Sequence, residues 1–227
     1  STGDELLDID QPLTPGAIRD SNAIQLRLLV EDAGGRVIHG SKLSDDPKVV
    51  LAAIRQHAAQ SDVLLTIGGV SMGEFDPVKQ SLAELQGVSW WRVAMKPGQP
   101  QVFGTLGSAM YFGLPGNPAS VACVFEVLVR PASRALQGFT MLDRPRISVR
   151  SRERVESRAG RTEFIRAVLE EDEGAWWATP AGAQVSGHLT PQSRAHVLMI
   201  VPESASSLNA GDLAQAILLR WPDAPSE

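Results

Sequence analysis

The chain has 227 residues, of which 43% are hydrophobic and 21% are charged, and its net charge is −5. This composition is typical of a folded globular protein and excludes disordered, collagen-like and coiled-coil chains. The negative charge has the wrong sign for a protein that mainly neutralises nucleic-acid phosphates, so we expect no nucleic-acid partner.

Residues 1–142 alternate between helical and strand periodicity, which predicts an α/β domain with an open, mostly parallel sheet flanked by helices. Helices are predicted where an N-cap side chain precedes apolar residues at helical spacing. In chain order, the predicted elements are a helix over 20–34, a strand at 37–38, a helix over 46–60, a strand over 62–67, a helix after 76, a strand over 88–95, a hairpin of 101–106 with 109–114, and a helix from 117 towards 136 that Pro131 should end or kink.

The periodicity changes near residue 143. Apolar residues alternate with arginines over 146–154, and the later apolar runs at 164–169, 176–179, 197–201 and 216–219 are short. Period-2 alternation without a competing helical period predicts a small all-β, barrel-like domain over residues 143–227.

Cys123 is the only cysteine, so the chain can form no internal disulfide. Its apolar neighbours predict a buried thiol in a reducing compartment, and we expect the cytoplasm. No apolar run approaches the roughly 18 residues of a membrane span, so we expect no membrane association. The chain begins at Ser1 without methionine and without a strand before its polar first loop, and we therefore expect it to be a fragment.

A glycine-rich loop follows the most strand-like segment. Gly68, Gly69, Ser71 and Gly73 lie between that strand and a predicted helix that begins at Asp76. Glycines allow close backbone approach to a ligand, and free N–H groups at a helix start favour anions, so a phosphate site is one interpretation. A tight turn with Asp76 as a simple N-cap explains the pattern equally well.

Two further loops have a similar design. Lys96, one of only four lysines, lies between an apolar strand and a Pro-Gly turn, where it is either a functional cation or a solvated strand end. The loop formed by Pro115, Gly116 and Asn117 is stiffened by proline on both sides of the glycine. It suits a preorganised binding wall, but it also suits the end of a strand and the start of a helix.

Acidic residues gather at the predicted strand ends, and in an open α/β sheet ligands bind outside the carboxyl ends of the strands. Carboxylates there could hold Mg²⁺ beside a phosphate or act as general bases, although any single one is more readily a cap or a surface charge. These residues are Asp4, Glu5, Asp45, Asp46, Glu74 and Asp76.

The loops together resemble, in order and spacing, the molybdopterin molybdenumtransferase family, which includes the E domain of gephyrin. The motifs that carry this resemblance are Ser1-Thr2-Gly3-Asp4-Glu5, Asp20-Ser21-Asn22, Asp45-Asp46-Pro47, Gly68-Gly69-Val70-Ser71-Met72-Gly73-Glu74 with Asp76, Met95-Lys96-Pro97-Gly98 and Leu114-Pro115-Gly116-Asn117-Pro118. The resemblance implies a molybdopterin-binding α/β domain over residues 1–142 and the family's C-terminal β domain over residues 143–227.

The implied activity is the insertion of molybdate into adenylylated molybdopterin with release of AMP. The resemblance assigns catalysis and Mg²⁺ binding to Glu5, Asp45 and Asp76. Lys96 falls on a functional lysine of the family and would supply positive charge to the oxyanion.

Other residues are implied to bind the substrates. Arg92 stands where members carry lysine or arginine, and Arg166 and Ser186 match positions thought to bind molybdate through a guanidinium fork and a hydroxyl. The implied set is Gly68, Gly69, Ser71, Gly73, Arg92, Pro115, Gly116, Asn117, Arg166 and Ser186.

Family members resemble this chain only in their C-terminal part and carry two further domains before it. The resemblance also implies a homodimer whose active cleft is built from both subunits. We therefore expect the 227 residues alone to bind pterin or anion weakly and to be inactive.

Two alternative functions remain open. A molybdopterin adenylyltransferase-like enzyme shares the α/β domain, although that family uses Gly-Gly-Thr-Gly followed by Arg-Asp, where this chain has Gly69-Val70-Ser71. The other alternative is a gephyrin-like scaffold that binds a receptor segment.

Overall fold

The computed structural model describes residues 1–70, 82 and 84–222. It divides into two compact units, and each is described by itself below. The first unit comprises Ser1–Val93 and Gly98–Leu142, and the second comprises Ala94–Pro97 and Asp143–Glu227. The sequence predicts two consecutive domains, residues 1–142 and 143–227. The structure differs from this division at Ala94–Pro97, which belongs with the second unit.

The first unit is an α/β layer structure. Its strands are β1 (Leu6–Leu7), β2 (Ile18–Arg19), β3 (Val63–Ile67), β4 (Val88–Arg92), β6 (Pro100–Leu106) and β7 (Ala109–Leu114). Its helices are α1 (Ser21–Asp32), α2 (Pro47–Ala58), α3 (Pro118–Val124), a π-helical turn (Phe125–Val129) and α4 (Arg130–Leu136).

The main sheet of this unit has the strand order β3-β7-β6-β4. Strands β3 and β7 are parallel, and β6 runs antiparallel to both β7 and β4. Further parallel pairing joins β1 to β2 and Thr2 to Leu43. The α/β prediction is confirmed, and so is the hairpin, because Leu106 lies opposite Ala109 across its turn.

The strand predicted at residues 37–38 is wrong. Ile38 is more than half exposed, and the parallel bridge to Thr2 forms instead at Leu43. An apolar pair becomes a strand only where a neighbouring strand is present to accept its backbone hydrogen bonds.

Helix starts follow the capping chemistry read from the sequence. The carboxylate of Asp20 accepts a hydrogen bond from the Ala23 N–H at 3.0 Å, and that of Asp46 accepts one from the Lys48 N–H at 2.8 Å. The predicted helix after Asp76 lies outside the described residues.

Pro131 neither ends the last helix nor leaves it regular. The π-helical turn precedes it, and the Arg130 N–H donates to the Phe125 carbonyl, five residues back. Proline has no N–H to donate to the preceding turn, and the wider π turn accommodates its ring, so the helix continues to Leu136.

The second unit is a small barrel. Its strands are β5 (Met95–Lys96), β8 (Arg146–Ser151), β9 (Val155–Glu156), β10 (Thr162–Asp172), β11 (Ala175–Pro180), β12 (Val197–Val201), β13 (Ser207–Leu208) and β14 (Leu213–Leu218), with one short helix, α5 (Thr190–Arg194). The order β11-β8-β14-β12-β10 closes because β10 also pairs with β11, which confirms the barrel-like prediction.

Each unit has its own apolar core. Val50, Ile54, Val102 and Tyr111 are fully buried between α2 and the sheet of the first unit. The barrel interior is filled by inward side chains from its strands, which include Val149, Ala167, Val197, Met199 and Ala216. No helix among the described residues combines the length and apolar character that crossing a membrane requires.

Two histidines of the first unit are stacked on each other. The rings of His39 and His57 have centroids 3.9 Å apart, and the Nδ1 atom of His57 is buried without a hydrogen-bond partner among the described residues. Burial and the neighbouring His39 imidazole lower the pKa of His57. The neutral imidazole is therefore favoured in the folded protein.

We expect this pair to make folding pH-dependent. A histidine with a lowered pKa binds fewer protons folded than unfolded, so the free energy of unfolding decreases as pH falls below about 6.5, the ordinary histidine value. Urea unfolding can be measured at about pH 8 and about pH 5 from the circular dichroism signal of the helices. The difference in the free energy of unfolding between the two pH values should be smaller in His57→Gln than in wild type. His188→Gln, on the barrel, is the control, and equal pH dependence of His57→Gln and wild type would contradict the assignment.

Candidate functional site

Three loops of the first unit meet at the carboxyl ends of β3 and β7. The N–H of Thr2 donates to the Ile67 carbonyl at 3.1 Å, and the Gly68 N–H donates to the Leu114 carbonyl at 3.0 Å. The Leu43 N–H reaches the Ser1 carbonyl at 2.9 Å. The first loop of the chain, the loop after β3 and the loop after β7 therefore share one edge of the sheet, where open α/β folds bind ligands.

Gly68 is the residue around which these loops pack. It has a φ of +88°, and a Cβ atom there would lie 3.0 Å from Thr2 Oγ1 and 3.1 Å from the Thr2 carbonyl oxygen. A Cβ on Gly116 would lie 3.6 Å from the Gly68 Cα. Gly68 is followed by Gly69, also at positive φ. Glycine is required at Gly68 both for its backbone conformation and for the close approach of Thr2.

The loop after β7 is tied to α1. Asn22 Nδ2 donates to the Gly116 carbonyl at 2.6 Å, and Gln25 Nε2 donates to the Pro118 carbonyl at 3.0 Å. Pro115 is buried, whereas Gly116 and Asn117 are exposed. The Asn117 side chain makes no capping hydrogen bond, so Asn117 precedes α3 without the side-chain capping expected from the sequence. Its amide is presented at the surface beside Gly116.

Acidic side chains lie beside the first loop. The Asp4 N–H donates to Asp45 Oδ2 and the Asp45 N–H donates to Asp4 Oδ1, each at 3.3 Å. The Glu5 carboxylate folds over Gly3, where a Cβ atom would come within 2.6 Å of Glu5 Oε2. Each of these two exposed carboxylates is thereby bonded to the backbone of the other residue, and the Glu5 carboxylate follows directly in the chain.

These oxygen donors suit Mg²⁺, which is usually held by one or two carboxylates together with substrate phosphates. Within the described ranges, no three His, Cys, Asp or Glu side chains come close enough together to hold a metal ion. Three predicted residues, Ser71, Gly73 and Asp76, lie outside those ranges. Asp4 is one of the acidic residues that the sequence places at the strand ends, although the family resemblance assigns it no role.

In the second unit, Lys96 forms an ion pair with Glu163. Lys96 Nζ lies 3.1 Å from Glu163 Oε2, and Arg161 Nη2 lies 2.7 Å from Glu163 Oε1. Glu163 is 1% exposed. Burial raises the pKa of Glu163, but hydrogen bonds from Arg161 and Lys96 outweigh this effect and hold the pKa below its ordinary value.

Arg166 lies beneath the loop after β11. It is 3% exposed, and its guanidinium donates to the carbonyls of His188 at 2.9 Å and Val185 at 3.1 Å and to Gln184 Oε1 at 3.3 Å. Ser186 is half-buried within the same loop. The guanidinium fork therefore holds the loop that carries Ser186.

Arg92 is exposed at the end of β4, opposite Pro100. Sequence reasoning did not identify Asn22 as a tether of the Gly116 loop, nor Arg161 and Glu163 as partners of Lys96. The sequence shows Asn22 only as part of the Asp20-Ser21-Asn22 motif, and it assigns no role to Arg161 or Glu163. Strand pairing between residues 96 and 163 leaves no signal in one sequence.

The first unit is an α/β domain with a glycine-lined, carboxylate-flanked sheet edge, joined in sequence to a small barrel. Residues 1–135 match the family described as a probable molybdopterin binding domain, and residues 148–219 match the MoeA C-terminal region (domain IV). The chain belongs to the molybdopterin-binding domain family, and the resemblance seen in its loops is confirmed.

Two curated relatives are named molybdopterin molybdenumtransferases. The protein from Mycobacterium tuberculosis, "Molybdopterin molybdenumtransferase 2", is 34% identical over 95% of this chain and 54% of its own length. The Nostoc protein is 35% identical over 93% of this chain and 50% of its own length. The chain thus spans about half the length of these relatives.

A solved structure has the same fold. The "molybdopterin biosynthesis moea protein" from Pyrococcus horikosii superposes with a TM-score of 0.82 at 28% identity. The match covers 97% of this chain and 53% of that one. Both units of the chain have counterparts in that protein.

We expect Gly68→Ala to lower the free energy of unfolding by roughly 1–3 kcal/mol, because alanine is strained at positive φ and its Cβ would crowd Thr2. Gly116→Ala is the matched control, since its Cβ would make only ordinary van der Waals contact. Urea unfolding measures both variants. Equal stability of the two would contradict the proposed packing at Gly68.

Proposed function

We propose that this chain forms part of a molybdopterin molybdenumtransferase, which inserts molybdate into adenylylated molybdopterin and releases AMP during molybdenum cofactor biosynthesis. The observation that carries the proposal is the convergence of glycine loops and carboxylates on one sheet edge in a chain of this family. The barrel favours this enzyme over an adenylyltransferase, because residues 148–219 match the MoeA C-terminal region.

The glycine-lined edge would bind the pterin and its pyrophosphate. Backbone N–H groups and small residues suit a flat ring and a polyanion, since they permit close approach and donate hydrogen bonds. The residues proposed for this role are Gly68, Gly69, Ser71, Gly73, Arg92, Pro115, Gly116 and Asn117.

Glu5, Asp45 and Asp76 are proposed to hold Mg²⁺ and to orient the water that cleaves the phosphoanhydride. The position of Asp4 and Asp45 supports this role, because both exposed carboxylates lie at the first loop, which also carries Glu5. Bound Mg²⁺ supplies Lewis-acid neutralisation of phosphate charge. The carboxylates themselves accept the proton of the attacking water.

Lys96 is proposed to supply positive charge to the oxyanion, and Arg166 and Ser186 are proposed to help bind molybdate. Lys96 is the best placed of the three, because its side chain is 45% exposed while its ammonium is held by Glu163. Arg166 acts on molybdate through the loop that it holds, and Ser186 offers its hydroxyl from that loop.

We further propose that the protein works in the cytoplasm as a homodimer. The buried thiol of Cys123, the chain's single cysteine, suits a reducing compartment. Exposed apolar side chains of the first unit, among them Ile9, Leu13 and Leu28, offer surface for a subunit contact.

Asp45→Asn and Lys96→Met should each reduce AMP release by roughly 100-fold or more, because Asp45 is proposed to hold Mg²⁺ and Lys96 is proposed to supply positive charge to the oxyanion. The assay uses the complete gene product that includes this chain, with adenylylated molybdopterin, molybdate and Mg²⁺.

Matched controls remove similar charges elsewhere. Asp62→Asn changes a carboxylate next to the opposite, amino end of β3, and Lys48→Met changes an exposed lysine at the start of α2. Both should retain activity. Full activity of Asp45→Asn and Lys96→Met would refute the proposed roles.

A further inference from the structure

The strongest unassigned feature is the Glu163 carboxylate of the second unit. Strand β5 pairs parallel with β10, and the register sets Lys96 directly opposite Glu163. Glu163 Oε2 accepts from Lys96 at 3.1 Å, while Oε1 accepts from Arg161 Nε at 2.9 Å and Nη2 at 2.7 Å. A carboxylate that is 1% exposed thus contacts two cations of greater exposure.

The side chains of Lys96, Glu163 and Arg161 together carry a net positive charge. Lys96 and Glu163 alone would form a neutral pair, which attracts an anion weakly. Arg161 adds a second cation beside the single Glu163 carboxylate, so the three side chains together carry one net positive charge. The Arg161 side chain is 28% exposed and that of Lys96 is 45% exposed, so the surplus charge lies on the solvent side of the carboxylate.

We propose that Glu163 is a positioning residue that fixes the Lys96 ammonium for an anionic substrate group, and that Arg161 keeps the group positively charged. The proposal rests on the role given to Lys96 under the proposed function. A lysine side chain has about 2 kcal/mol of rotamer entropy, and a buried hydrogen-bonded partner removes that cost before the anion binds.

This role makes a prediction that is opposite in sign to simple electrostatics. Glu163→Gln raises the local charge by one unit. If the Glu163 carboxylate only repelled anions, this substitution would increase the affinity for anions. If the carboxylate positions Lys96, the substitution would decrease that affinity, because the ammonium becomes mobile. The direction of the change separates the two roles.

The experiment uses the 227-residue chain with its lysines reductively methylated by isotope-labelled formaldehyde, which keeps the charge. The chain has only four lysines, so the Lys96 methyl signal can be assigned by substitution. NMR relaxation of this signal reports side-chain mobility, and titration with molybdate reports affinity. Calorimetric titration of the unmethylated proteins checks the affinities.

In wild type, Lys96 should be more restricted than exposed Lys48, and Glu163→Gln should release it and weaken molybdate binding by about tenfold. Arg161→Gln should also weaken binding, because the remaining pair is neutral. In Lys96→Met, Glu163→Gln should cause little further loss of affinity, since Glu163 acts through Lys96.

Glu156→Gln is the matched control. Arg154 Nε lies 2.6 Å from Glu156 Oε1, with the same spacing in the chain as Arg161 and Glu163, but both residues of that pair are exposed and neither is bonded to Lys96. This variant should leave both the Lys96 relaxation and the molybdate affinity unchanged.

Unchanged or tighter molybdate binding by Glu163→Gln, or a wild-type Lys96 as mobile as Lys48, would overturn the inference. Should Glu163→Gln not fold, Arg161→Gln decides, and an unchanged affinity of that variant overturns the charge argument. Unaltered binding by Lys96→Met contradicts the proposed function instead, and the relaxation data then decide the positioning role alone.

Discussion

A buried carboxylate cannot be left without a cationic partner, and this constraint organises one edge of the barrel. Removing one partner of a buried ion pair typically costs about 3–5 kcal/mol, because the remaining charge stays desolvated. Glu163 meets the requirement with two cations, one from its own strand and one from β5. The pairing of β5 with β10 is therefore supported by electrostatics as well as by backbone hydrogen bonds. A lysine that would otherwise be a mobile surface charge acquires a defined position.

The sheet edge of the first unit achieves order by a different means. Its loops are connected chiefly by backbone groups, with Thr2 bonded to Ile67 and Gly68 to Leu114. Glycine permits these approaches, and the Asn22 amide adds a side-chain tether to Gly116. Among the described residues, these bonds order the edge in advance, and a preordered site loses less freedom when a ligand binds.

The sequence predicted the helix caps and the hairpin, which depend on residues close together in the chain. Asp20 and Asp46 cap their helices as expected, and the hairpin at Gly107 forms in the expected place. The predicted strand at 37–38 does not form, because it has no neighbouring strand. A π-helical turn accommodates Pro131 within the helix, and residue propensities do not predict such a turn. The glycine loops could be found because their composition is unusual. The partners of Lys96 and Arg166 could not, because they come from residues distant in the chain that pairing and loop closure bring together.

The assignment of Ala94–Pro97 to the second unit has a consequence for dissecting the molecule. The polypeptide leaves the first unit after Val93 and re-enters it at Gly98, and the Val93 N–H bonded to the Gln99 carbonyl at 2.9 Å joins the two ends of this excursion. A truncation that begins at Asp143 would lack β5 and leave Glu163 with one cation instead of two. A circular permutation or a grafted copy of residues 94–97 is needed before the barrel can be studied in isolation with its edge intact.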